Sequence, residues 1–276
     1  MPRAVFNAAG IWGHGIAGMA GIKLNMFPAK GTLLVFGHRV NNMVINRCRK
    51  PADADILVPD DTVCVVGTTS DRVPYETIDD LKVTQEEVDL LIKEGEKLAP
   101  SLATTRILRA YAGVRPLVAA DNDPSGRSIS RGIICLDHEK RDGLAGLITI
   151  TGGKMMTYRL MAEQATDLAC RKLGVDAKCQ TAVLPLPGTE GKSGDRPRHV
   201  YSTAHNAAEG RQGNRVQEVS ETSEEDRSLI CECEEVCVGE VKYAIEELHV
   251  HDLLNLMNAE PLLSLNLRLG EGTGAL

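Results

Sequence analysis

Two glycines and a lysine, placed between a predicted strand and a predicted helix, form the stretch of this chain best suited to chemistry. Thr151-Gly152-Gly153-Lys154-Met155 follows the apolar segment 147–150 and precedes apolar residues at helical spacing. Unpaired N–H groups and the positive end of a helix dipole meet at a helix start, and glycine lets a ligand approach the backbone. The pattern predicts an anion site with a helix beginning close to Lys154. A plain strand-to-helix turn is the alternative.

Two arginines in short motifs could add positive charge to such a site. Arg115 stands in Gly-Val-Arg-Pro and Arg131 in Ser-Arg-Gly. The planar guanidinium group matches a phosphate dianion with two parallel hydrogen bonds, which a lysine cannot do. Taken alone, the motif of each arginine favours an ion pair at the surface.

A pair of cysteines near the end of the chain suggests a metal site. Cys231-x-Cys233 precedes an amphipathic helix predicted over 238–248. Thiolates are soft, charged donors that suit iron, and a closed site needs four of them. Cys237 with His249 or His251 could complete a zinc-like set. The histidines would lie roughly three turns beyond the helix start, so a shared site would be strained.

The run Gly13-His14-Gly15-Ile16-Ala17-Gly18 matches the dinucleotide fingerprint G-x-G-x-x-G literally, but its context differs. The fingerprint follows a strand directly and is trailed about 20 residues later by an acidic residue. Here Trp12 intervenes, and the first acidic residue is Asp53. We predict instead a buried strand over 5–8, a glycine-rich turn and a short helix.

Composition indicates a globular enzyme. The 276 residues are 43% hydrophobic and 25% charged, which suits one substantial domain with an appendage. The net charge of −7 disfavours nucleic acid as a partner. The eight cysteines show no even pairing, which favours a reducing cytoplasm over a disulfide scaffold.

Three regions differ in pattern. Residues 1–174 alternate strands and helices, as expected for an α/β fold with α+β character, and Thr84-Gln85-Glu86-Glu87 is a capping box that opens a helix. Strands are predicted over 32–36, 56–58, 63–66, 107–112 and 133–136. Residues 175–228 are rich in polar residues and glycine, which predicts a linker or a poorly ordered connection. Residues 229–276 hold the cysteine pair.

Motifs spread over most of the chain carry a family resemblance. They are 3–12, 26–31, 44–51, 67–69, 113–116, 124–127, 151–159 and 231–234. In this order they resemble the catalytic subunit of anaerobic glycerol-3-phosphate dehydrogenase, a family of flavoproteins in the glycine/D-amino-acid oxidase-like class. The resemblance implies part of a glutathione-reductase-like FAD-binding domain, an antiparallel substrate-domain sheet, and a small helical [2Fe–2S] domain like that of bacterioferritin-associated ferredoxin. It also implies a fragment, since members begin with a pyrophosphate-binding βαβ unit.

The resemblance implies roles for particular residues. Arg115, Lys154 and Arg131 are expected to act on the substrate. The expected FAD contacts are Ala9, Gly10, Trp12, Gly152, Gly153, Lys154 and Met155. Cys231 and Cys233 correspond to half of a [2Fe–2S] ligand set. The second pair is missing from the sequence, since Gly272-Thr273 is followed by Gly274, so we predict that this chain binds no cluster.

The implied reaction is FAD-dependent oxidation of sn-glycerol 3-phosphate to dihydroxyacetone phosphate. Electrons would pass to a membrane quinone through electron-transfer and membrane-anchor subunits, so the protein is expected in the cytoplasm, against the inner face of the membrane. The general base stays unassigned: aerobic relatives carry histidine where this chain has Leu33, and His38 would face the opposite side of the strand. Alternatives are another FAD-dependent oxidoreductase of the same fold, an incomplete binding or assembly module, and a zinc or iron–sulfur regulatory protein.

Overall fold

A computed structural model describes residues 3–118, 132–184, 203–220 and 223–247. Its strands are β1 (Val5–Asn7), β2 (Met26–Phe36), β3 (Ile45–Asn46), β4 (Ile56–Pro59), β5 (Cys64–Gly67), β6 (Asp71–Arg72), β7 (Ile107–Val118), β8 (Ile133–Asp137), β9 (Leu147–Gly152), β10 (Leu229–Cys231) and β11 (Val236–Cys237). Its helices are α1 (Gly13–Met19), α2 (Gln85–Gly95), α3 (His138–Asp142), α4 (Tyr158–Leu173), α5 (Thr203–Gln212), α6 (Val216–Ser220) and α7 (Val238–Glu246).

Strand β2 is the centre of an antiparallel six-stranded sheet, as the resemblance implies. β7 pairs along the whole of one side, β5 and β6 share the other side, and β4 and β3 continue beyond β5. β2 and β7 are both longer than predicted. Pro28 and Gly31 lie within β2, and Pro28 faces Pro116 of β7. Sequence reasoning treats both residue types as strand breakers, which is why the predicted strands were too short.

One face of the large sheet packs against α2 and holds the main core. Side chains alternate between the two faces of a strand, so every second residue of β2 belongs to this core. The fully buried cluster consists of Leu34, Phe36, Ala54, Leu57, Cys64, Val66, Leu91 and Leu102. Lys30, on the same face, makes a 2.7 Å ion pair with Glu87. Glu87 also closes the predicted capping box with Thr84, whose backbone N–H lies 2.8 Å from the carboxylate.

A smaller sheet joins the first and the last strands of the oxidoreductase region. Its order is β1-β9-β8, with β1 parallel and β8 antiparallel to β9. Helix α1 follows β1 and helix α4 follows β9, as expected for α/β architecture. The literal G-x-G-x-x-G run lies within α1, in agreement with the predicted short helix, and a 3-10 turn precedes it. The prediction that the preceding strand is buried is wrong for Val5 and Phe6, which are exposed.

The predicted connection over 175–228 contains helices α5 and α6, so the expectation of a poorly ordered segment is wrong for residues 203–220. The region has few aliphatic residues, but Ala208 and Val216 are buried together with Cys237. Cys237 belongs to the cysteine module, which we define as residues 229–247. Arg211 of α5 also holds the Glu240 carboxylate through two hydrogen bonds of 2.8 and 2.7 Å. The helices are stable because the partner surface comes from residues distant in sequence. In the described ranges, none of the helices is both long and apolar enough to cross a membrane.

Candidate functional site

The carboxyl ends of β1 and β9 lie side by side. The two strands are parallel, with Val5 opposite Leu147 and Asn7 opposite Thr149. In open α/β sheets, ligands bind in the crevice beyond the carboxyl ends of the parallel strands. Both glycine-rich segments singled out in the sequence begin at this edge, one after Asn7 and the other after Thr151.

The turn after β9 requires its two glycines. Gly152 and Gly153 have φ angles of 72° and 68°, in the left-handed region. A Cβ atom on Gly152 would collide with the carbonyl oxygen of Gly132, and one on Gly153 would lie 2.5 Å from the Met161 sulfur. The backbone N–H of Gly153 instead donates to that Gly132 oxygen at 3.1 Å. The turn needs glycine at both positions for its own conformation, and the absence of side chains also leaves its backbone open to a ligand.

Lys154 is exposed at the start of the helical segment. A 3-10 turn over Met155–Thr157 precedes α4, so the regular helix begins four residues after Lys154 rather than directly at it. The Thr157 hydroxyl accepts from the Lys154 backbone N–H at 3.0 Å and donates to its carbonyl oxygen at 2.8 Å. Because Thr157 caps the Lys154 backbone, the α-helix begins at Tyr158. Met155 projects into solvent, with 90% of its surface exposed.

The turn after β1 contains the other expected cofactor contacts. Gly10 has a φ of 56° and opens a 3-10 turn that includes Trp12. No atom of the described residues lies within 4 Å of a Cβ built on Gly10, so its outer side is open. The Ala9 N–H donates to the Asn7 side-chain oxygen at 3.4 Å, and the half-exposed Trp12 indole donates to Asp79 at 2.8 Å. Ala9, Gly10 and Trp12 therefore line the same sheet edge as Gly152 and Gly153.

Arg115 enters the site from the large sheet. Its guanidinium group donates to the Thr68 hydroxyl, to the Thr69 carbonyl oxygen at 3.3 Å and to the Lys30 carbonyl oxygen at 3.4 Å. The group lies over Gly31, where a Cβ atom would collide with it. The sequence motifs Lys-Gly at 30–31 and Gly-Thr-Thr at 67–69 thus meet here, which sequence reasoning did not foresee. Both serve to position this arginine.

A cleft of about 370 Å³ joins the arginine to the glycine turn. It is lined by Val114, Arg115, Pro116, Leu117, Gly152, Gly153, Lys154 and Met155. Two of the predicted cations, Arg115 and Lys154, therefore line one cavity together with the backbone of the turn. The third, Arg131, lies outside the described residues.

No side chain is assigned as the general base. Leu33 pairs with Tyr111 of β7, and β2 ends at Phe36. His38 is exposed beyond the end of that strand, so the prediction that it occupies the opposite face of β2 is wrong. The alternation rule holds only while the strand continues.

The two cysteines of the Cys-x-Cys motif are neighbours, but they do not form a closed metal site. Their sulfur atoms lie 3.6 Å apart at the end of β10. Within the described ranges, Cys237 does not join them in a group with ligand atoms within 4.8 Å of one another. Burial raises the pKa of the Cys237 thiol to about 11, which keeps it protonated near neutral pH. A [2Fe–2S] cluster needs four protein donors, and among the described residues these two cysteines supply half of that set.

The acidic residues next to these cysteines connect the cysteine module to the large sheet. Glu232 and Glu234 form ion pairs with Arg106 and Arg109. The buried Glu235 carboxylate accepts from both the backbone N–H and the hydroxyl of Thr62. Sequence reasoning missed this contact, although the alternation Cys-Glu-Cys-Glu-Glu was a visible signal. Arg109 and Arg115 are six residues apart on β7, which puts the cysteine module roughly 20 Å from the cleft.

Comparison with known proteins agrees with this geometry. Residues 2–159 match the model of the family described as FAD dependent oxidoreductase. The chain is 62% identical to a subunit of the anaerobic glycerol-3-phosphate dehydrogenase of Haemophilus influenzae, over 91% of this chain and 45% of that protein. The corresponding subunit from Escherichia coli is 59% identical, over 91% of this chain and 47% of that protein. The chain thus spans about half the length of these curated relatives.

A solved structure shows the same fold. It is the glycerol-3-phosphate dehydrogenase from Bacillus halodurans complexed with FAD, which is 27% identical and aligns with a TM-score of 0.52 over 67% of this chain and 35% of that one. Because the family model covers more than half of the chain, and the parallel strand ends and the antiparallel sheet agree with it, this chain belongs to the FAD-dependent oxidoreductase family.

Proposed function

We propose that this chain forms the substrate side of an FAD-dependent glycerol-3-phosphate dehydrogenase. The observation that carries the proposal is the cleft in which Arg115 faces the Gly152-Gly153-Lys154 turn. The 62% identity to the Haemophilus influenzae protein supports the choice of substrate.

The cleft suits a small phosphate ester with a secondary hydroxyl group. Arg115 brings a guanidinium charge to the phosphate dianion, and its contacts with Thr68 and Thr69 keep the guanidinium plane fixed. Lys154 adds a second positive charge on the other wall. In this arrangement, the phosphate is anchored at the cations and the C2 carbon of sn-glycerol 3-phosphate is held towards the edge where β1 and β9 end.

The two glycine turns are the part of the chain that would hold FAD. Ala9, Gly10 and Trp12 after β1, and Gly152, Gly153, Lys154 and Met155 after β9, offer exposed backbone and a cation to an extended, anionic ligand. FAD would supply the hydride acceptor for oxidation of C2, and loss of the hydroxyl proton to a base or to water would give dihydroxyacetone phosphate. The charge of Lys154, which lines the cleft, would stabilise the extra negative charge on the reduced cofactor.

Electrons would then pass to a membrane quinone through electron-transfer and membrane-anchor subunits. The names of the curated relatives support such an assembly, because each describes one subunit of a larger enzyme. The assembled protein would lie in the cytoplasm, against the inner face of the membrane. Cys231 and Cys233 supply half a ligand set, so no electron-transfer step is assigned to a [2Fe–2S] cluster in this chain.

The test is flavin reduction. Because the chain spans 45% of the Haemophilus influenzae relative, it is purified both alone and after co-expression with the part of that relative it does not match. We expect little FAD in the chain alone, and a yellow protein after co-expression. Anaerobic sn-glycerol 3-phosphate should bleach the flavin band, whereas glycerol, which lacks the phosphate, should not. Equal bleaching by both compounds, or by neither in a protein with stoichiometric FAD, would overturn the proposal.

A further inference from the structure

A continuous network of hydrogen bonds, buried except at Asp142, runs behind the two glycine turns. The Asp142 carboxylate lies 2.6 Å from His138 Nδ1, and His138 Nε2 lies 2.7 Å from the Thr149 hydroxyl. Asn7 Nδ2 lies 3.3 Å from that hydroxyl and 2.8 Å from the Gly13 carbonyl oxygen. Asn7, His138 and Thr149 are each at most 1% exposed. None of these residues lines the cleft.

The donors and acceptors of this chain fit in one direction only. Asp142 accepts the proton on His138 Nδ1, which leaves Nε2 as an acceptor for the Thr149 hydroxyl. The Thr149 oxygen then accepts from Asn7, and Asn7 donates its second N–H to Gly13. The Asn7 side-chain oxygen in turn accepts from the Ala9 backbone N–H at 3.4 Å. Every group in the network has a partner when His138 donates through Nδ1 and accepts through Nε2.

The hydrogen-bond network ends at the turn after β1, which contains the expected cofactor contacts. Asn7 is the last residue of β1, and it bonds to both Ala9 and Gly13, which flank Gly10 and Trp12. A Cβ atom on Gly13 would lie 3.4 Å from the Asn7 side-chain oxygen, so this backbone and side chain are closely packed. Thr149 is opposite Asn7 in the parallel register and lies three residues before Gly152. The network therefore connects the base of one turn to the base of the other.

We propose that Asp142, His138, Thr149 and Asn7 act as positioning residues that fix the turn over residues 9–13 in register with the Gly152-Gly153 turn. They act on the ligand only through the backbone of that turn. The role of this network in FAD binding rests on the proposed function. Its hold on the turn over residues 9–13 is independent of that function.

The chain supplies a matched control on the same strand. Thr151 is two residues from Thr149, so it shares a face of β9, and it is 4% exposed. Its hydroxyl has no hydrogen-bond partner among the described residues. Thr149→Val and Thr151→Val are therefore the same substitution at similar burial, and only the first interrupts the network.

The experiment measures hydrogen–deuterium exchange in the FAD-free protein. In Thr149→Val, we expect the amides of residues 9–19 to exchange about tenfold faster, since a buried donor loses its partner. Thr151→Val should leave these amides unchanged, and Thr149→Ser, which keeps the hydroxyl, should restore protection. Equal acceleration in the two valine variants, or acceleration spread over the whole chain, would overturn the proposal.

A milder variant covers the case in which Thr149→Val does not fold. Asp142→Ala, at the partly exposed end of the network, removes the acceptor that orients His138 and should accelerate the same amides by a smaller factor. No acceleration there would contradict the network.

FAD titration of the co-expressed protein separates the two proposals. If it binds no FAD, the proposed function fails while the exchange result stands. If it does, Thr149→Val should weaken FAD binding about tenfold and Thr151→Val should not.

Discussion

Arg115 is the residue whose surroundings are most specifically built. Its guanidinium group sits over Gly31, between the Thr68 hydroxyl and two backbone carbonyl oxygens. These contacts hold the planar group in one orientation before any ligand arrives, which lowers the entropy lost on binding. Lysine would carry the same charge, but it has one nitrogen and cannot make the same fork of hydrogen bonds.

We therefore expect Arg115→Lys to reduce kcat/KM for sn-glycerol 3-phosphate by one to two orders of magnitude in the co-expressed, FAD-loaded protein. One bidentate contact with an ionised group is worth about 1.5–3 kcal/mol. The FAD content should not change. Steady-state kinetics with an artificial electron acceptor measures the loss, and the ratio of flavin to protein absorbance measures the content.

Arg109→Lys is the control for this substitution. Arg109 lies on the same face of β7, but it pairs with Glu234 outside the cleft. Its replacement should leave kcat/KM unchanged. If the two variants behaved alike, Arg115 would not contact the substrate.

At the residue level, the sequence indicates which side chains could bind an anion but not what positions them. Arg115 and Lys154 stand in recognisable motifs, whereas the roles of Gly31 and Thr68 depend on pairing between strands that are distant in sequence. His138 gave no signal at all, because a buried histidine needs its two partners, Thr149 and Asp142, to be known first.

At the level of elements, the unit formed by β9, the glycine turn and α4 agrees best with prediction. The strand and the helix were predicted from periodicity, and the observed strand is longer by two residues, through Gly152. The helix begins later than predicted because Thr157 caps the backbone of Lys154, a local competition that periodicity does not contain. Helix α5 was missed for a different reason, since its buried partners lie in the cysteine module.

Two effects would destabilise a substitution at Gly152: the left-handed backbone conformation and the collision of a Cβ atom with its neighbour. A comparison with Gly143 separates them. Gly143 has a φ of 76° and no atom within 4 Å of a built Cβ, whereas Gly152 has a φ of 72° and faces the Gly132 carbonyl oxygen. Alanine at Gly143 should lower the free energy of unfolding by about 1 kcal/mol, the cost of the left-handed conformation alone. Alanine at Gly152 should cost roughly 2–3 kcal/mol, because the neighbouring backbone must also move.

Urea denaturation of the two alanine variants and the parent measures this difference. Equal losses would show that the Gly132 backbone yields freely. In that case, the glycine at 152 is needed only for its φ angle.

At the level of the whole molecule, the cysteine module contacts the large sheet at Arg109, roughly 20 Å along β7 from the cleft at Arg115. The family resemblance implied both parts but not their contact. That contact depends on ion pairs between residues more than 120 positions apart in the sequence. The ion pairs of Arg106 and Arg109 are exposed, so each contributes at most about 1 kcal/mol and is screened by salt. The contact between Glu235 and Thr62 is buried, so we expect it to contribute most of the docking free energy.

The Glu235 contact has a definite pH dependence. Burial raises the pKa of this carboxyl group, hydrogen bonds from Thr62 oppose the shift, and the nearby Asp60 and Asp61 add to it. A carboxyl group with a raised pKa in the folded state contributes its full stability below its unfolded pKa, about 4.5, and loses it as the pH rises through the folded value. Burial and the two aspartates therefore favour the neutral form of Glu235 in the folded protein, whereas the Thr62 donors favour the charged form.

Glutamine is a mimic of the neutral form and keeps an oxygen that can accept from Thr62. We expect Glu235→Gln to raise the free energy of unfolding at pH 7.5, and the difference from the parent to close below about pH 4.5, where the parent carboxyl is also protonated. Glu235→Ala, which leaves Thr62 without an acceptor, should lower stability at both pH values. Glu234→Gln is the exposed control, and its small loss should vanish in high salt. Urea denaturation at the two pH values measures all four proteins. A Glu235→Gln variant less stable than the parent at pH 7.5 would show that Thr62 holds the charged carboxylate, and that the module docks through charge rather than through a buried neutral contact.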